Sequence, residues 1–237
     1  MSKNNSIEVL APAKINRFLH ITGQREDGYH LLQTVFELVS LCDHISLEND
    51  PNGLIQIQSG SPGVKTEDDL TYKAAKLLQA RTQTPMGCKI NLRKFIPMGA
   101  GLGGGSSDAA SVLWGLNELW ETELGRDELI KLGLQLGADV PFFLLGCNAF
   151  AEGIGEILTP IELPPTSYLL INPGIHIPTV NVFKAPGLTR NHPKVTISDF
   201  TESAYSEQFG TNDCENVVIQ QYQEVAHAIN WIIERHP

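Results

Sequence analysis

Two charged residues lie in apolar surroundings where chemistry could use them. Lys14 sits between Ala13 and Ile15 in a strand-like stretch, and Asp139 comes two residues before Pro141 at the start of a short apolar helix. A lone lysine on an edge strand is usually solvated or protective. An aspartate at a helix start usually caps the helix. Apolar neighbours, however, raise the pKa of a carboxylate toward that of a general base if it lines a pocket.

A glycine-rich loop is the second chemical feature, since five of the seven residues from Gly99 to Gly105 are glycine. Five glycines would lower stability by about 2.5–5 kcal/mol relative to alanine in regular structure, which suggests that a ligand needs bare backbone there. Ser106, Ser107 and Asp108 are good N-cap or first-turn residues, and apolar spacing predicts a helix over Ala109–Trp120. A loop that opens into a helix N-terminus binds anions, so we predict a nucleotide phosphate here.

Two familiar phosphate loops do not fit this stretch. A Walker A loop ends in Gly-Lys-Ser/Thr, whereas Gly105 is followed by Ser106 and Ser107. A Rossmann fingerprint is formally present as Gly99-x-Gly101-x-x-Gly104, but it should follow a buried apolar strand. Residues 88–93 alternate between apolar and polar side chains instead, as a half-exposed strand does.

The composition limits the class of protein and its partners. A net charge of −10 argues against a nucleic-acid or membrane-surface binder. The four cysteines are far apart and the seven histidines form no metal motif, so we predict reduced thiols and assign no residue as a metal ligand. Neither a signal peptide nor a membrane span is predicted, and we expect a cytoplasmic protein. The oligomeric state is left open.

Strands and helices alternate irregularly, which is typical of α+β folds. Period-two patterns predict strands near residues 55–58 and 88–93, and helical spacing predicts helices beginning near Asp69 and Asp127. A proline-rich stretch, 159–166, predicts a boundary between a domain over residues 1–160 and a second over 161–237. In the second, we predict a strand over 168–171 and a last helix from about Asp213.

Taken with the loop, four segments resemble the GHMP kinase superfamily. The loop reads Pro97-x-Gly99-x-Gly101-Leu102-Gly103-x-x-Ser106-Ser107, and the other segments are 12–16, 23–30, 136–142 and 151–156. Their order is similar to that of one branch, the ATP-dependent kinases that phosphorylate a hydroxyl of a cytidyl diphosphate sugar alcohol in the non-mevalonate route to isoprenoid precursors. The resemblance implies a two-domain α+β fold with mixed sheets, and the use of ATP and Mg²⁺.

The resemblance also implies roles for individual residues. Asp139 would take the proton from the substrate hydroxyl, and Lys14 would pair with it and steady the oxygen or the transferring phosphoryl group. Tyr29 and Phe183 would stack on the cytosine, His30 would bond its edge, and Asn16 would bind substrate. Ser106 or Ser107 would bind phosphate or Mg²⁺, or cap the helix. The ATP-binding residues would be Pro97, Gly99, Gly101, Leu102, Gly103, Gly104, Gly105, Ser106 and Ser107.

The sequence departs from the superfamily pattern in one respect. The third glycine-rich segment, of the form Gly-Thr-Gly-Ala/Ser, does not occur in the 237 residues. We therefore expect an incomplete second domain, and the alternative to an active kinase is a catalytically impaired, nucleotide-binding remnant of the family.

Overall fold

The computed structural model of the protein describes residues 5–203 and 209–235. Within them the elements follow in this order: β1 Ser6–Gln24, β2 His30–Asp50, β3 Ile55–Ser59, α1 Leu70–Thr82, β4 Gly87–Arg93, α2 Gly104–Leu119, α3 Arg126–Leu134, α4 Val140–Leu145, β5 Ala149–Glu152, β6 Ile157–Pro160, α5 Thr179–Lys184, α6 Ile197–Ser203, α7 Glu215–Gln221 and α8 Gln223–Arg235.

The chain forms two compact units, and each takes several pieces of the sequence. Unit 1 comprises residues 1–14, 38–96 and 102–147, and unit 2 comprises residues 15–37, 97–101 and 148–237. Both long strands contribute to each unit, because β1 and β2 run through residues 14 and 38. The predicted boundary near residue 160 divides the chain differently, and it stays a prediction.

Unit 1 is a mixed sheet covered by helices. The second half of β2 pairs antiparallel with β4, from His44 opposite Arg93 to Asp50 opposite Gly87, and β3 runs parallel to β4. The inward residues of β4, which alternate with polar ones as predicted, join a core built with α1, α2, α3 and α4. The predicted α+β class with mixed sheets is thus confirmed.

Unit 2 has shorter sheet pairing and smaller cores. The first half of β2 pairs antiparallel with β5, with Thr34 opposite Ala151, and β5 pairs with β6. One apolar cluster surrounds Phe18 and Phe150, and another surrounds Ile21 and Val182. The strand predicted over 168–171 is wrong, since these residues form no strand and Leu169 is 80% exposed. Among the described residues, Tyr168 reaches the sheet only through its side chain, whose hydroxyl donates to Glu37 on β2 at 2.6 Å, and a run that has no backbone partner strand forms no ladder.

The helix starts were predicted with mixed success. Asp69 caps α1 as predicted, accepting a hydrogen bond from the Thr71 amide at 2.9 Å. The helix predicted over Ala109–Trp120 is present as α2, but it begins earlier, at Gly104, and Gly103 is its N-cap with φ 71°. That left-handed backbone favours glycine over serine or aspartate. Ser106 therefore lies in the first turn, and the capping alternative for Ser106–Asp108 is wrong. The predicted last helix is two helices, α7 and α8, which are separated at Tyr222, where φ is −129°.

Among the helices that the structure describes, none combines the length and the apolar character that a bilayer crossing requires.

Candidate active site

The glycine-rich loop has the backbone of an anion-binding turn. Gly99, Gly101 and Gly103 have φ values of 70°, 74° and 71°, a left-handed region where other residues are strained. No side chain caps the start of α2, so its first amides are open to a ligand. The dipole of this 16-residue helix favours negative charge at the same end. The predicted phosphate-binding geometry is therefore available.

Glycine at position 103 is required by space as well as by backbone angle. A Cβ atom built on Gly103 would lie 2.8 Å from the Phe143 ring and 3.2 Å from Lys14 Cγ. The backbone of β1 approaches the same place, since the Lys14 amide donates to the Leu102 carbonyl at 3.0 Å. Lys14 is therefore held against the part of the loop that leads into α2.

Lys14 and Asp139 interact electrostatically within unit 1. Burial lowers the pKa of Lys14, which is only 6% exposed, and the nearby charge of Asp139 opposes that shift. Asp139 is the N-cap of α4, and Pro141 lies in the first turn, yet the Asp139 side chain makes no capping hydrogen bond. Its carboxylate therefore does not cap the helix.

A buried ionic cluster next to the loop was missed by the sequence reasoning. Lys94 Nζ donates to Asp108 Oδ2 at 2.7 Å and to Asp43 Oδ2, while Asp43 Oδ1 accepts from the Phe95 and Ile96 amides. Burial raises the pKa of Asp108 to about 7, against the opposing effect of the Lys94 charge. Each of the three charged residues has a polar neighbour in the sequence, so no local pattern marks them, and only tertiary structure brings them together.

In unit 2, the predicted substrate residues begin at the turn between β1 and β2. Gly28 has φ 89° in this turn. The Tyr29 carbonyl accepts a hydrogen bond from the Arg25 amide, and the Tyr29 amide donates to Asp27 Oδ1. Tyr29 itself is 59% exposed, so its ring is open to solvent. Asn16 lies on β1, and its Nδ2 donates to Thr34 Oγ1 at 3.0 Å.

His30 and Phe183 come together, as their predicted shared role requires. Their ring centroids are 5.1 Å apart and the rings are tilted by 31°. Arg190 Nε donates to His30 Nε2 at 3.1 Å, so Nε2 is an acceptor and Nδ1 carries the proton of a neutral ring. Burial, and secondarily the Arg190 charge, lower the pKa of His30. Sequence reasoning missed Arg190, which also donates to the Phe183 carbonyl at 3.0 Å.

The predicted site residues therefore form two groups. Unit 1 brings together Lys14, Asp139 and the loop from Leu102 onward, and unit 2 brings together His30 and Phe183. Residues 97–101 of the loop belong to unit 2, where a Cβ atom on Gly99 would lie 1.9 Å from His176 Nδ1. Across the residues that the structure describes, no three His, Cys, Asp or Glu side chains are grouped to hold a metal.

Comparison with known proteins gives one consistent family. The family description "GHMP kinases N terminal domain" matches residues 69–147, which include the glycine-rich loop and Asp139. A 4-diphosphocytidyl-2-C-methyl-D-erythritol kinase from Ralstonia nicotianae is 50% identical over 227 residues, or 96% of this chain and 78% of that protein. The enzyme of the same name from Dechloromonas aromatica is also 50% identical, over 96% of this chain and 81% of its own.

Solved structures agree with the sequence relatives. A crystal structure of 4-(cytidine 5'-diphospho)-2C-methyl-D-erythritol kinase aligns with a TM-score of 0.79 and 38% identity, covering 94% of this chain and 81% of that one. Homoserine kinase from Cytophaga hutchinsonii aligns with a TM-score of 0.58 at 17% identity, over 86% of this chain and 66% of that one. The latter likeness concerns the fold alone.

Proposed function

Because the chain belongs to the 4-diphosphocytidyl-2-C-methyl-D-erythritol kinases of the GHMP kinase family, we propose that it transfers the terminal phosphoryl group of ATP to a hydroxyl of that substrate. The reaction is a step of non-mevalonate isoprenoid precursor biosynthesis. Identity of 50% over 96% of the chain favours an active kinase over the alternative of an impaired nucleotide-binding remnant. A cytoplasmic location, where ATP is abundant, belongs to this proposal.

The observation that carries the proposal is the Lys14–Asp139 pair beside the loop. Phosphoryl transfer depends mainly on positioning and on neutralising charge. Lys14 is buried, is influenced by the Asp139 carboxylate, and is fixed at its backbone to Leu102. The basic group therefore lies beside the start of α2, whose amides would hold the phosphates, and the acidic group is near enough for its charge to act on that lysine.

Each group in unit 1 has a defined task in the proposed reaction. The Asp139 carboxylate accepts the proton of the substrate hydroxyl while the oxygen of that hydroxyl bonds to the terminal phosphorus of ATP. The bond between this phosphorus and the oxygen that bridges it to the next phosphate breaks, and ADP leaves. Lys14 stabilises the negative charge on the attacking oxygen and on the phosphoryl group. The loop residues from Leu102 to Ser107 hold the remaining phosphates through backbone amides and serine hydroxyls, and a phosphate-binding role of residues 97–101, which belong to unit 2, stays a prediction.

Mg²⁺ is part of the proposal, because kinases use it to neutralise the phosphate oxygens. The open amides at Gly104 and Gly105 and the left-handed glycines suit a phosphate chain. We assign no protein side chain as a ligand of the ion.

Unit 2 supplies recognition of the cytidyl group. The face of Phe183 and the ring of Tyr29 would stack on cytosine, and stacking of this kind contributes roughly 1–3 kcal/mol per base. His30 would donate from Nδ1 to an acceptor on the cytosine edge, because Arg190 already occupies Nε2. Asn16 would donate to the substrate from the amide group that bonds Thr34.

A coupled ADP-release assay with the cytidyl substrate tests the function. We expect substrate-dependent ADP release at roughly 1–100 s⁻¹, as for kinases in general. ³¹P NMR should then show one new phosphomonoester. ATP hydrolysis that is independent of the cytidyl substrate, or release of no ADP at all, would contradict the proposal.

A further inference from the structure

We propose that Lys94 is a positioning residue of the phosphotransfer site, where it joins the entrance and the exit of the glycine-rich loop. Neither the sequence resemblance nor the roles assigned above involve this lysine. The inference deepens the proposed function, because it concerns the same loop, and it rests on that function for its kinetic consequences.

The entrance of the loop is fixed through Asp43 on β2. Lys94 directly follows β4, and the next two amides, of Phe95 and Ile96, donate to Asp43 Oδ1 at 2.5 and 2.8 Å. The second oxygen of Asp43 accepts from Lys94 Nζ. Asp43 is fully buried, so one carboxylate holds three consecutive residues just before Pro97.

The exit of the loop is fixed by the other end of the same cluster. Lys94 Nζ donates at 2.7 Å to Asp108, which lies on α2 and is 1% exposed. The ammonium group also lies 3.1 Å from where a Cβ atom on Gly104, the first residue of α2, would be. A single side chain thus contacts both the Asp43 carboxylate, which holds the segment before the loop, and the helix that follows the loop.

A contribution to the stability of the folded state does not by itself explain a buried ionic cluster. Moving charged groups out of water costs free energy that their mutual attraction often fails to recover, so apolar replacements of buried ion pairs are frequently neutral or better. The helix dipole also disfavours a cation beneath the first turn of α2. Because two carboxylates surround the Lys94 ammonium, the cluster adds no net positive charge, and it would act on the loop by holding it in position.

The glycine content of the loop explains why a cluster that restricts its movement would favour ATP binding. Glycines leave residues 99–105 with large conformational freedom, and ordering them on binding would reduce the affinity for ATP. Holding residues 94–96 and 104–108 in place restricts that freedom before the ligand arrives. Loss of Lys94 should therefore weaken ATP binding and slow transfer, while binding of the cytidyl substrate should not change.

Three variants test the proposal: Lys94→Met, the double variant Lys94→Met/Asp108→Asn, and Lys89→Met as the matched control. Lys89 lies on the same strand and pairs with Glu48 at 2.7 Å on the surface. Lys94→Met leaves two carboxylates without their cation, and the double variant removes one of them, while Asp43 keeps the hydrogen bonds from the Phe95 and Ile96 amides. It should regain thermal stability without regaining ATP affinity, which separates positioning from a merely structural role.

Calorimetry with a non-hydrolysable ATP analogue, thermal unfolding and steady-state kinetics provide the readouts. We expect the dissociation constant to rise at least about tenfold in both Lys94 variants, which is the effect of losing one charge-assisted contact. KM for the cytidyl substrate should stay within about twofold in both Lys94 variants, and Lys89→Met should match the parent within the same margin.

Recovery of both stability and ATP affinity in the double variant would overturn the proposal, and so would unchanged affinity in Lys94→Met. Failure of both Lys94 variants to fold would also overturn it, because the cluster would then be a requirement of folding. Since binding is measured without turnover, a parent protein that binds the analogue but transfers no phosphoryl group would contradict the proposed function and not this inference.

Discussion

The two units expose their functional residues to very different degrees. In unit 1, Lys14 is 6% exposed and Ser107 and Asp108 are almost fully buried, whereas in unit 2 Tyr29 is 59% exposed. Charges act more strongly where water is excluded, so proton and phosphoryl transfer favour buried groups. Stacking on a base needs a ring face that is accessible before the substrate arrives. The difference is consistent with the proposed function, in which unit 1 would contribute the chemistry and unit 2 the recognition.

Substitution of Asp139 is the most severe test of this division. Asp139→Asn keeps the shape of the side chain but removes the proton acceptor, so we expect kcat to fall by about 10²–10⁴. ATP affinity and KM for the cytidyl substrate should hardly change. Steady-state kinetics with ADP detection provides the measurement, and Asp127→Asn, in the first turn of α3, is the matched control. A fall confined to KM would assign Asp139 to binding instead.

Lys14 gives the second prediction, which concerns alkaline pH. Its pKa is lowered from 10.5 by burial, so the ammonium loses its proton at a lower pH than a surface lysine does. We expect kcat to fall as the pH rises through that lowered pKa, and Lys14→Met to reduce kcat by about 10²–10³ at neutral pH.

The sign for stability is opposite to that for activity. Between the lowered pKa and 10.5 the unfolded chain binds more protons at Lys14, so this residue makes the folded state more stable as pH rises. In Asp139→Asn the raising effect of the carboxylate is lost, and the pKa should move further down. NMR titration of ¹³C-labelled lysine would measure it, and an unchanged pKa in Asp139→Asn would show that the two groups are not coupled.

Sequence reasoning was more successful for unit 1 than for unit 2. The strand pattern of residues 88–93 and the cap at Asp69 were predictable, because both depend on neighbours within the same segment. The Asp43–Lys94–Asp108 cluster was not, since its members lie as much as 65 residues apart and meet only through β2 and α2. In unit 2 the apolar run 168–171 predicted a strand, but a strand also needs a partner, which a local pattern cannot supply.

A smaller effect is expected in unit 2 from Phe183. Phe183→Ala removes a ring that lies 5.1 Å from His30, and KM for the cytidyl substrate should rise by roughly tenfold, the equivalent of one lost stacking contact. Because the proposed role of Phe183 is to stack on the base and not to transfer the proton or the phosphoryl group, kcat should stay within about twofold. Val180→Ala on the same helix, 60% exposed, is the control. A large loss of kcat would end the division of roles between the units.

His30 provides the prediction with the smallest expected effect, which is a weakening of substrate binding at low pH. Arg190 Nε donates to His30 Nε2, and burial with the Arg190 charge lowers the pKa of His30 from 6.5. A proton added at Nε2 would displace the Arg190 hydrogen bond and place two cations together. We therefore expect KM for the cytidyl substrate to be constant near neutral pH and to rise by a few-fold, about 1 kcal/mol, as pH falls through the lowered pKa.

Substitution of Arg190 tests whether protonation of His30 causes this rise of KM at low pH. Below 6.5 the unfolded chain binds the proton first, so the His30 contribution to stability is present at higher pH and is lost as pH falls. Arg190→Met removes a charge that lowers the pKa, and both the rise of KM and the loss of stability should move to higher pH. His227→Gln, on exposed α8, should leave them in place. If the rise of KM at low pH occurs at the same pH in Arg190→Met as in the parent, His30 does not bind the cytosine edge through Nδ1, and recognition in unit 2 depends on stacking alone.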